Sequence, residues 1–312
     1  MNKFSCMDNT EFNHREHDEA DPCWVYFRVL LGRYYYVCDH VICNVLPLVS
    51  KNVSFKKCFF VRILENDGLE LRIRFLADSI VVREQTAKQL ANILQNAIYE
   101  FPLVPESTYT SMLSEHDKSI IHSGLPAPRL VEAMYEPEFD KYGHGDMLSL
   151  IESHFDLSSK IAQEIICAEL YQERSRKWLA CPLMLEVAKA ISIHREAADF
   201  LKDYTDFWLY SMLNGAEYLP DFDRNIQRVE SEQFDPTALS HLLPQECDLL
   251  EQWRGSLRTV LSSTKKDIGK SRNLRDNLIF NMSHLLFNRL GFSVIEEAYI
   301  ARVTAYFYGR RI

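Results

Sequence analysis

Two hydrophobic periodicities succeed one another along this chain, and the change between them divides it. From Trp24 to Leu31 aromatic and β-branched residues crowd together (Trp24, Val25, Tyr26, Phe27, Val29), which predicts a strand. Val37, Val41, Val45 and Leu48 then recur at three-and-four spacing, predicting a helix over 36–49. Cys58 to Leu64 and Leu69 to Phe75 read as a hairpin around Glu65-Asn66-Asp67-Gly68, because Asp-Gly supplies the positive φ angles of a tight turn. The second strand alternates strictly: Leu69, Leu71, Ile73 and Phe75 face one way, Glu70, Arg72 and Arg74 the other. A three-residue turn over 66–68 would set Arg62 opposite Arg72 and add a third guanidinium to that face. Ala87, Leu90, Ala91, Leu94, Ala97 and Ile98 form one stripe of an amphipathic helix over 84–99, and a strand near 130–135 is expected to return to the sheet.

After Gly145 the pattern turns helical. Segments near 146–155, 158–170, 178–213 and 246–263 carry helical periodicity, broken by a polar, proline-marked stretch from Pro220 to Pro244. Two last helices, about 273–290 and 293–308, hinge at Gly291 with Ser293 as N-cap. Residues 1–22 are polar and aperiodic and are expected to form a flexible extension before a single domain over 23–312. The expected fold class is α+β: a small mixed or antiparallel sheet from the N-terminal half, packed against a mostly helical C-terminal half.

Composition narrows the chemistry. With 312 residues, 47% hydrophobic and 25% charged, the chain can bury a core and is not a disordered or low-complexity polymer. No apolar run approaches the ~18 residues of a membrane span, and the acidic start is unlike a signal peptide, so a cytoplasmic protein without a membrane partner is expected. A net charge of −9 disfavours direct nucleic-acid binding. There is no phosphate-binding glycine loop, and Gly143-His144-Gly145 lacks the third glycine of a dinucleotide fingerprint. Eight cysteines without a C-x-x-C pair suggest reduced thiols, and Cys6, His14, His17 and Cys23 match no zinc spacing. No cofactor and no metal are expected.

Three constellations could carry chemistry. On the penultimate helix Asn277, Asn281, His284 and Asn288 share one narrow stripe, while Leu274, Leu278, Met282, Leu285, Leu286 and Phe287 cover most of the rest. Such a polar seam must be satisfied, either by neighbouring backbone or by facing a substrate cavity. The arginine face of the hairpin needs carboxylates, whether from Glu70 and neighbouring acids on a solvated face or from an anionic ligand. Tyr135-Glu136-Pro137-Glu138-Phe139-Asp140-Lys141-Tyr142-Gly143 places an acidic pair and Lys141 at a strand-to-helix junction, which is a site or a connector.

The aromatic opening 24–31, Phe59-Phe60-Val61-Arg62, Leu71-Arg72-Ile73-Arg74-Phe75, the Tyr135-to-Gly143 segment, and His284 to Asn288-Arg289 followed by Glu296-Glu297 occur in a familiar order. In these motifs, over about 24–308, the sequence resembles the thiopeptide-type bacteriocin biosynthesis domain, which is also the C-terminal elimination domain of class I lantibiotic dehydratases. The resemblance implies a lyase that expels glutamate from glutamylated Ser or Thr of a ribosomal precursor peptide, leaving dehydroalanine or dehydrobutyrine. It implies as partners that peptide and a separate tRNA-dependent glutamylation protein; a homodimer stays open.

Esterification turns a poor leaving group into a carboxylate, so the reaction needs a base near neutral pKa and positive donors for an enolate-like amide. By the resemblance His284 is the acid/base, and Arg72, Arg74 and Lys141 join it as catalytic residues, the strand arginines clamping the leaving glutamate or polarising the carbonyl. Arg62, Tyr135, Asn281, Asn288 and Arg289 are the substrate-binding candidates. This reading expects the imidazole and the guanidiniums to meet at one hollow. The chain departs from the family pattern in carrying Lys141 for an arginine, His144 for a glycine and Glu70 for a histidine. Alternative activities are a pyridine synthase, which joins two dehydroalanines in a formal aza-[4+2] cyclisation with loss of the leader peptide, and a non-catalytic partner that binds the precursor at a sheet edge.

Overall fold

The structure, a computed structural model, describes residues 21–32, 35–65, 68–100, 128–191, 194–264 and 272–310. Of the expected extension, residues 1–20 lie outside these, as do Cys6, His14 and His17. The fold is α+β. Four antiparallel strands, β1 (Trp24–Gly32), β2 (Lys57–Glu65), β3 (Gly68–Leu76) and β4 (Arg129–Ala133), form one sheet in the order β2-β3-β1-β4. The helices are α1 (Tyr35–His40, continued by Val41–Val45 and Leu46–Asn52), α2 (Ile80–Glu100), α3 (Phe139–Tyr142), α4 (Gly145–Gln172), α5 (Lys177–Ala190), α6 (His194–Ser211), α7 (Leu219–Ser231), α8 (Pro244–Thr264), α9 (Arg272–Leu290) and α10 (Val294–Gly309).

The described chain forms two compact units. Of the described residues, a sheet unit takes those between 21 and 172 together with Asn288–Gly291; a helical unit takes those between 173 and 287 and between 292 and 310.

In the sheet unit the register corrects one expectation. Glu65 pairs with Gly68, which leaves a two-residue loop, so Arg62 lies opposite Leu71 and Val61 opposite Arg72. A one-residue change of register moves a side chain to the other face. Arg62 therefore sits on the side of Leu71 and Ile73, away from Arg72 and Arg74. The strand that does add an arginine to their face is β1, where Arg28 pairs with Arg72 and Tyr26 with Arg74. Gly68 makes the short loop workable: its φ is +100°, and a Cβ there would stand 2.4 Å from the Gly32 carbonyl oxygen.

One sheet face is apolar, with Val25, Phe27, Val29, Phe60, Leu71, Ile73 and Phe75 all buried. Each such side chain contributes roughly 1.5–3 kcal/mol. Inside α1, Val41–Val45 form a π-helical stretch within the expected helix. Such a turn disturbs the regular ladder, and the Gln163 amide donates to the Ile42 carbonyl at 2.6 Å.

β2 is an edge strand, and side chains take up its outward backbone groups. Cys58 N–H donates to Asp156 (2.9 Å) and Phe60 N–H to the Ser159 hydroxyl (3.2 Å), both on α4. Asn288 accepts from Arg62 N–H (2.9 Å) and donates to Arg62 C=O (2.7 Å), while Arg289 Nε donates to Phe60 C=O (2.8 Å). Asp156, which holds β2 and pairs with Lys160 one turn on, sits where a break between two helices was expected; α4 runs through.

In the helical unit the Pro220–Pro244 stretch is not wholly a break: α7 occupies Leu219–Ser231. Pro220 stands in the first turn, where a missing N–H costs nothing, and the sparse apolar positions Phe222 and Ile226 are one turn apart and buried. Gly291, at φ 83°, follows the end of α9. Ser293 caps α10 in a reciprocal capping box with Glu296.

Two outcomes follow. Gly68→Ala lowers unfolding stability by more than about 1 kcal/mol, read from a urea midpoint; an unchanged midpoint contradicts the close approach to Gly32. His154 on α4 is 2% exposed, and burial, helped by the Arg289 charge, depresses its pKa to about 3. Because the folded value lies below the unfolded one, the unfolded chain takes the proton first. Stability is thus lost as pH falls from about 6.5 toward 3, by about 1 kcal/mol per pH unit. His154→Phe removes most of that slope in denaturant titrations; an unaltered slope contradicts the assignment.

Candidate active site

In the helical unit, α9 presents His284 with its side chain 28% exposed, while the carboxylate it meets is fully enclosed. Both oxygens of Glu297, from the first turn of α10, lie 3.1 Å from His284 Nδ1. Tyr204 of α6 donates its hydroxyl to Glu297 Oε2 at 2.7 Å, and the Trp208 ring lies 4.8 Å from the imidazole. An ionised carboxylate only accepts, so Glu297 holds the proton on Nδ1 and leaves Nε2 as the basic atom. Burial raises the Glu297 pKa, and the His284 and Tyr204 hydrogen bonds act against that rise. Asn281, expected beside His284 as a substrate contact, donates to the Asn277 carbonyl of its own helix at 2.9 Å.

In the sheet unit the predicted arginines divide three ways. Arg72 donates to Glu70, whose other oxygen takes both Nε (2.8 Å) and Nη2 (2.6 Å) of Arg28. Glu70 is 2% exposed, so the face is neither open to solvent nor short of a carboxylate at that point. Arg74 has no such partner. Its guanidinium lies 4.6 Å from the Tyr26 ring, 5.3 Å from Tyr135 and 5.5 Å from Phe59, and its buried Nε has no acceptor among the described residues. Desolvation lowers its pKa, and the Arg72 charge adds to the effect.

Arg62 is held on the opposite face by Asp39 (2.6 Å) and the Arg289 carbonyl (2.9 Å). Asn288 and Arg289 bond the outward backbone of β2, at Arg62 and at Phe60. Arg289 has no exposed surface, and burial lowers its guanidinium to about 9, with the Arg74 charge contributing. Tyr135 donates to the buried Glu152 at 3.2 Å and packs its ring against Trp24 and Phe59. Lys141 sits in the exposed turn of α3, paired with Glu138 at 2.6 Å. The structure thus brings Arg72, Arg74 and Tyr135 together on one face and Arg62, Asn288 and Arg289 along the edge strand. His284 and Asn281 belong to the helical unit.

Sequence reasoning names Glu297 only within the Glu296-Glu297 motif and gives it no role, and it does not single out Tyr204 or Arg28. Glu297 leaves a trace: once the capping box accounts for Glu296, a carboxylate remains on a helix otherwise lined by Ile295, Ala298, Ile300 and Ala301. Among the described residues no group of three or more His, Cys, Asp or Glu could hold a metal ion, and the described cysteines are free thiols. Nor is any single described helix long and apolar enough to cross a membrane.

The fold recurs in solved proteins. The chain is similar to the pyridine synthase TbtD from thiomuracin biosynthesis (15% identity, TM-score 0.68, covering 92% of this chain and 98% of that one). It is also similar to the tRNA-dependent lantibiotic dehydratase MibB from Microbispora sp. 107891 (16%, 0.61, 96% of this chain and 29% of that one) and to TsrL (13%, 0.59, 92% and 94%). At these identities the likeness is one of fold. No curated protein matches the chain. The family model for the C-terminal part of lantibiotic biosynthesis dehydratases matches residues 24–308, from the first strand to the last helix, and the chain belongs to that family.

Proposed function

We propose that this protein is a peptide-modifying lyase that removes glutamate from glutamylated Ser or Thr of a ribosomally made precursor, after a separate glutamyl-tRNA-dependent protein has attached it. The observation that carries this reading is the His284–Glu297 pair. Elimination begins with loss of the α-proton from the esterified residue, which calls for a base with a fixed orientation. An imidazole held at Nδ1 by an enclosed carboxylate, itself fixed by a tyrosine hydroxyl, meets that need.

In this mechanism Nε2 of His284 takes the α-proton, electrons pass into the neighbouring amide carbonyl, and the C–O bond to the glutamyl carboxylate then breaks. By the resemblance the strand arginines Arg72 and Arg74 supply the positive donors for the leaving glutamate. Lys141 keeps a positive charge where the family pattern has arginine but presents a point charge instead of a planar fork. Glu297 acts through His284 and is a positioning residue.

A second reading, a pyridine synthase, draws support from the correspondence with TbtD over 98% of that chain. One assay separates the two. With a synthetic glutamylated precursor peptide, the lyase lowers peptide mass stepwise by glutamate; inertness there together with cyclisation of a dehydroalanine-bearing peptide assigns the synthase. For the lyase, His284→Ala and Arg74→Ala each trap glutamylated peptide, with rates reduced by about 10²–10⁴. Parental rates in both variants remove the site assignment. Glu297→Ala lowers kcat by about 10² or more with little change in KM, because orientation is lost and peptide contacts are kept; a change confined to KM contradicts the positioning role.

A further inference from the structure

Within the sheet unit, α4 meets the π-helical stretch of α1 along a stripe of three side chains. Gln163, Cys167 and Tyr171 follow one another at four-residue spacing and so share one face of α4. Gln163 donates its amide to the Ile42 carbonyl at 2.6 Å, and the Tyr171 hydroxyl donates to the Asn44 side-chain oxygen. Ile42, Cys43 and Asn44 are consecutive in the π-helical stretch, so the two flanking bonds set Cys167 opposite Cys43. The Cys43 thiol is hydrogen bonded to the Cys167 sulfur. Neither cysteine has a part in the elimination chemistry.

The stripe runs from the interior to the surface. Cys43 is 6% exposed, Cys167 is half-buried and Tyr171 is 59% exposed. A small oxidant therefore reaches Cys167 first, with the Cys43 thiol behind it. The hydrogen bond from Cys43 lowers the Cys167 pKa, against burial and the charges of Asp39 and Glu164. Burial instead pushes the Cys58 thiol up, and that of Cys181 up to about 12. Reactivity follows the thiolate and its exposure, which selects Cys167 over those two. The Arg62 cation, held by Asp39, is within electrostatic reach of Cys43 and favours loss of its proton.

We propose that Cys43 and Cys167 form a peroxide-responsive dithiol, in which Cys167 is oxidised first and Cys43 closes the disulfide. The Cys167 sulfur attacks one oxygen of hydrogen peroxide, the O–O bond breaks, and the thiol proton goes to the departing hydroxide to give water. The Cys43 sulfur then displaces the hydroxyl of the sulfenic acid, and its own proton completes a second water. Two thiols lose two electrons, and one peroxide becomes two waters. This site does not depend on the lyase reading. Its consequence is structural, because both elements hold β2. Asp39 of α1 takes the Arg62 guanidinium, and Asp156 and Ser159 of α4 take the backbone at residues 58 and 60. The disulfide joins α1 to α4 beside that strand and closes a long loop in the unfolded chain, so the oxidised form resists denaturant better.

The reduced full chain is treated with hydrogen peroxide, alkylated and digested. A peptide pair linked through Cys43 and Cys167 forms, two alkylatable thiols are lost per chain, and dithiothreitol restores both. Cys167→Ser slows this thiol loss at least about tenfold, Cys43→Ser lets Cys167 pass on to the sulfinic acid, and Cys181→Ser reacts as the parent does. The oxidised parent unfolds at a higher urea midpoint than the reduced one. If Cys43→Ser, at the buried position, does not fold, the linked peptide of the parent and the Cys167→Ser rate decide. Absence of that linked peptide, a disulfide through another cysteine in its place, or parental thiol loss in Cys167→Ser overturns the proposal.

Discussion

An edge strand exposes backbone donors and acceptors that must be bonded or solvated, and in this protein the outward groups of β2 at residues 58, 60 and 62 are bonded by side chains. Asp156 and Ser159 of α4 and Asn288 and Arg289 at the end of α9 take successive positions along it. The bonds fix which residues of β2 face outward. They do so together with the two-residue loop to β3, which sets Val61 opposite Arg72 and Phe59 opposite Arg74. A different register would place different side chains beside the arginines. The aromatic enclosure of Arg74 therefore depends on how the strand edge is bonded.

Burial of charge organises the rest, and the protein meets it in distinct ways. At Glu70 two arginines enclose one carboxylate, so like charges on paired strands are reconciled internally. At Glu297 an enclosed carboxylate is shared between a tyrosine hydroxyl and a half-buried imidazole. At Arg289 the accounting does not close within the described residues, and the guanidinium is depressed to about 9. A native structure leaves few buried donors unmet.

Much of the fold was legible in residue spacing. Strict alternation from Leu69 to Phe75 fixed the two faces of β3, and the Ser293–Glu296 pair marked the start of α10. Local pattern failed where a non-local bond decided the outcome. The turn residues admit more than one hairpin length, and only pairing with β3 shows that Arg62 leaves the arginine face for Asp39. Helix α4 looked broken near Asp156 because that acid is polar among apolar neighbours, yet it serves a strand 98 residues away. Of the polar stripe on α9, periodicity gave the members without their partners. Asn288 bonds the β2 backbone and Asn281 its own helix, while His284 meets Glu297. None of these partners is adjacent in sequence.

The proposed lyase converts a glutamylated side chain into a dehydro residue. The most direct test is to incubate the purified protein with a precursor peptide carrying one glutamyl ester and to measure free glutamate and alkene together. Elimination releases one glutamate for each dehydroalanine or dehydrobutyrine formed. Release of glutamate with restoration of the original hydroxyl, which is hydrolysis, or no release at all, would contradict it.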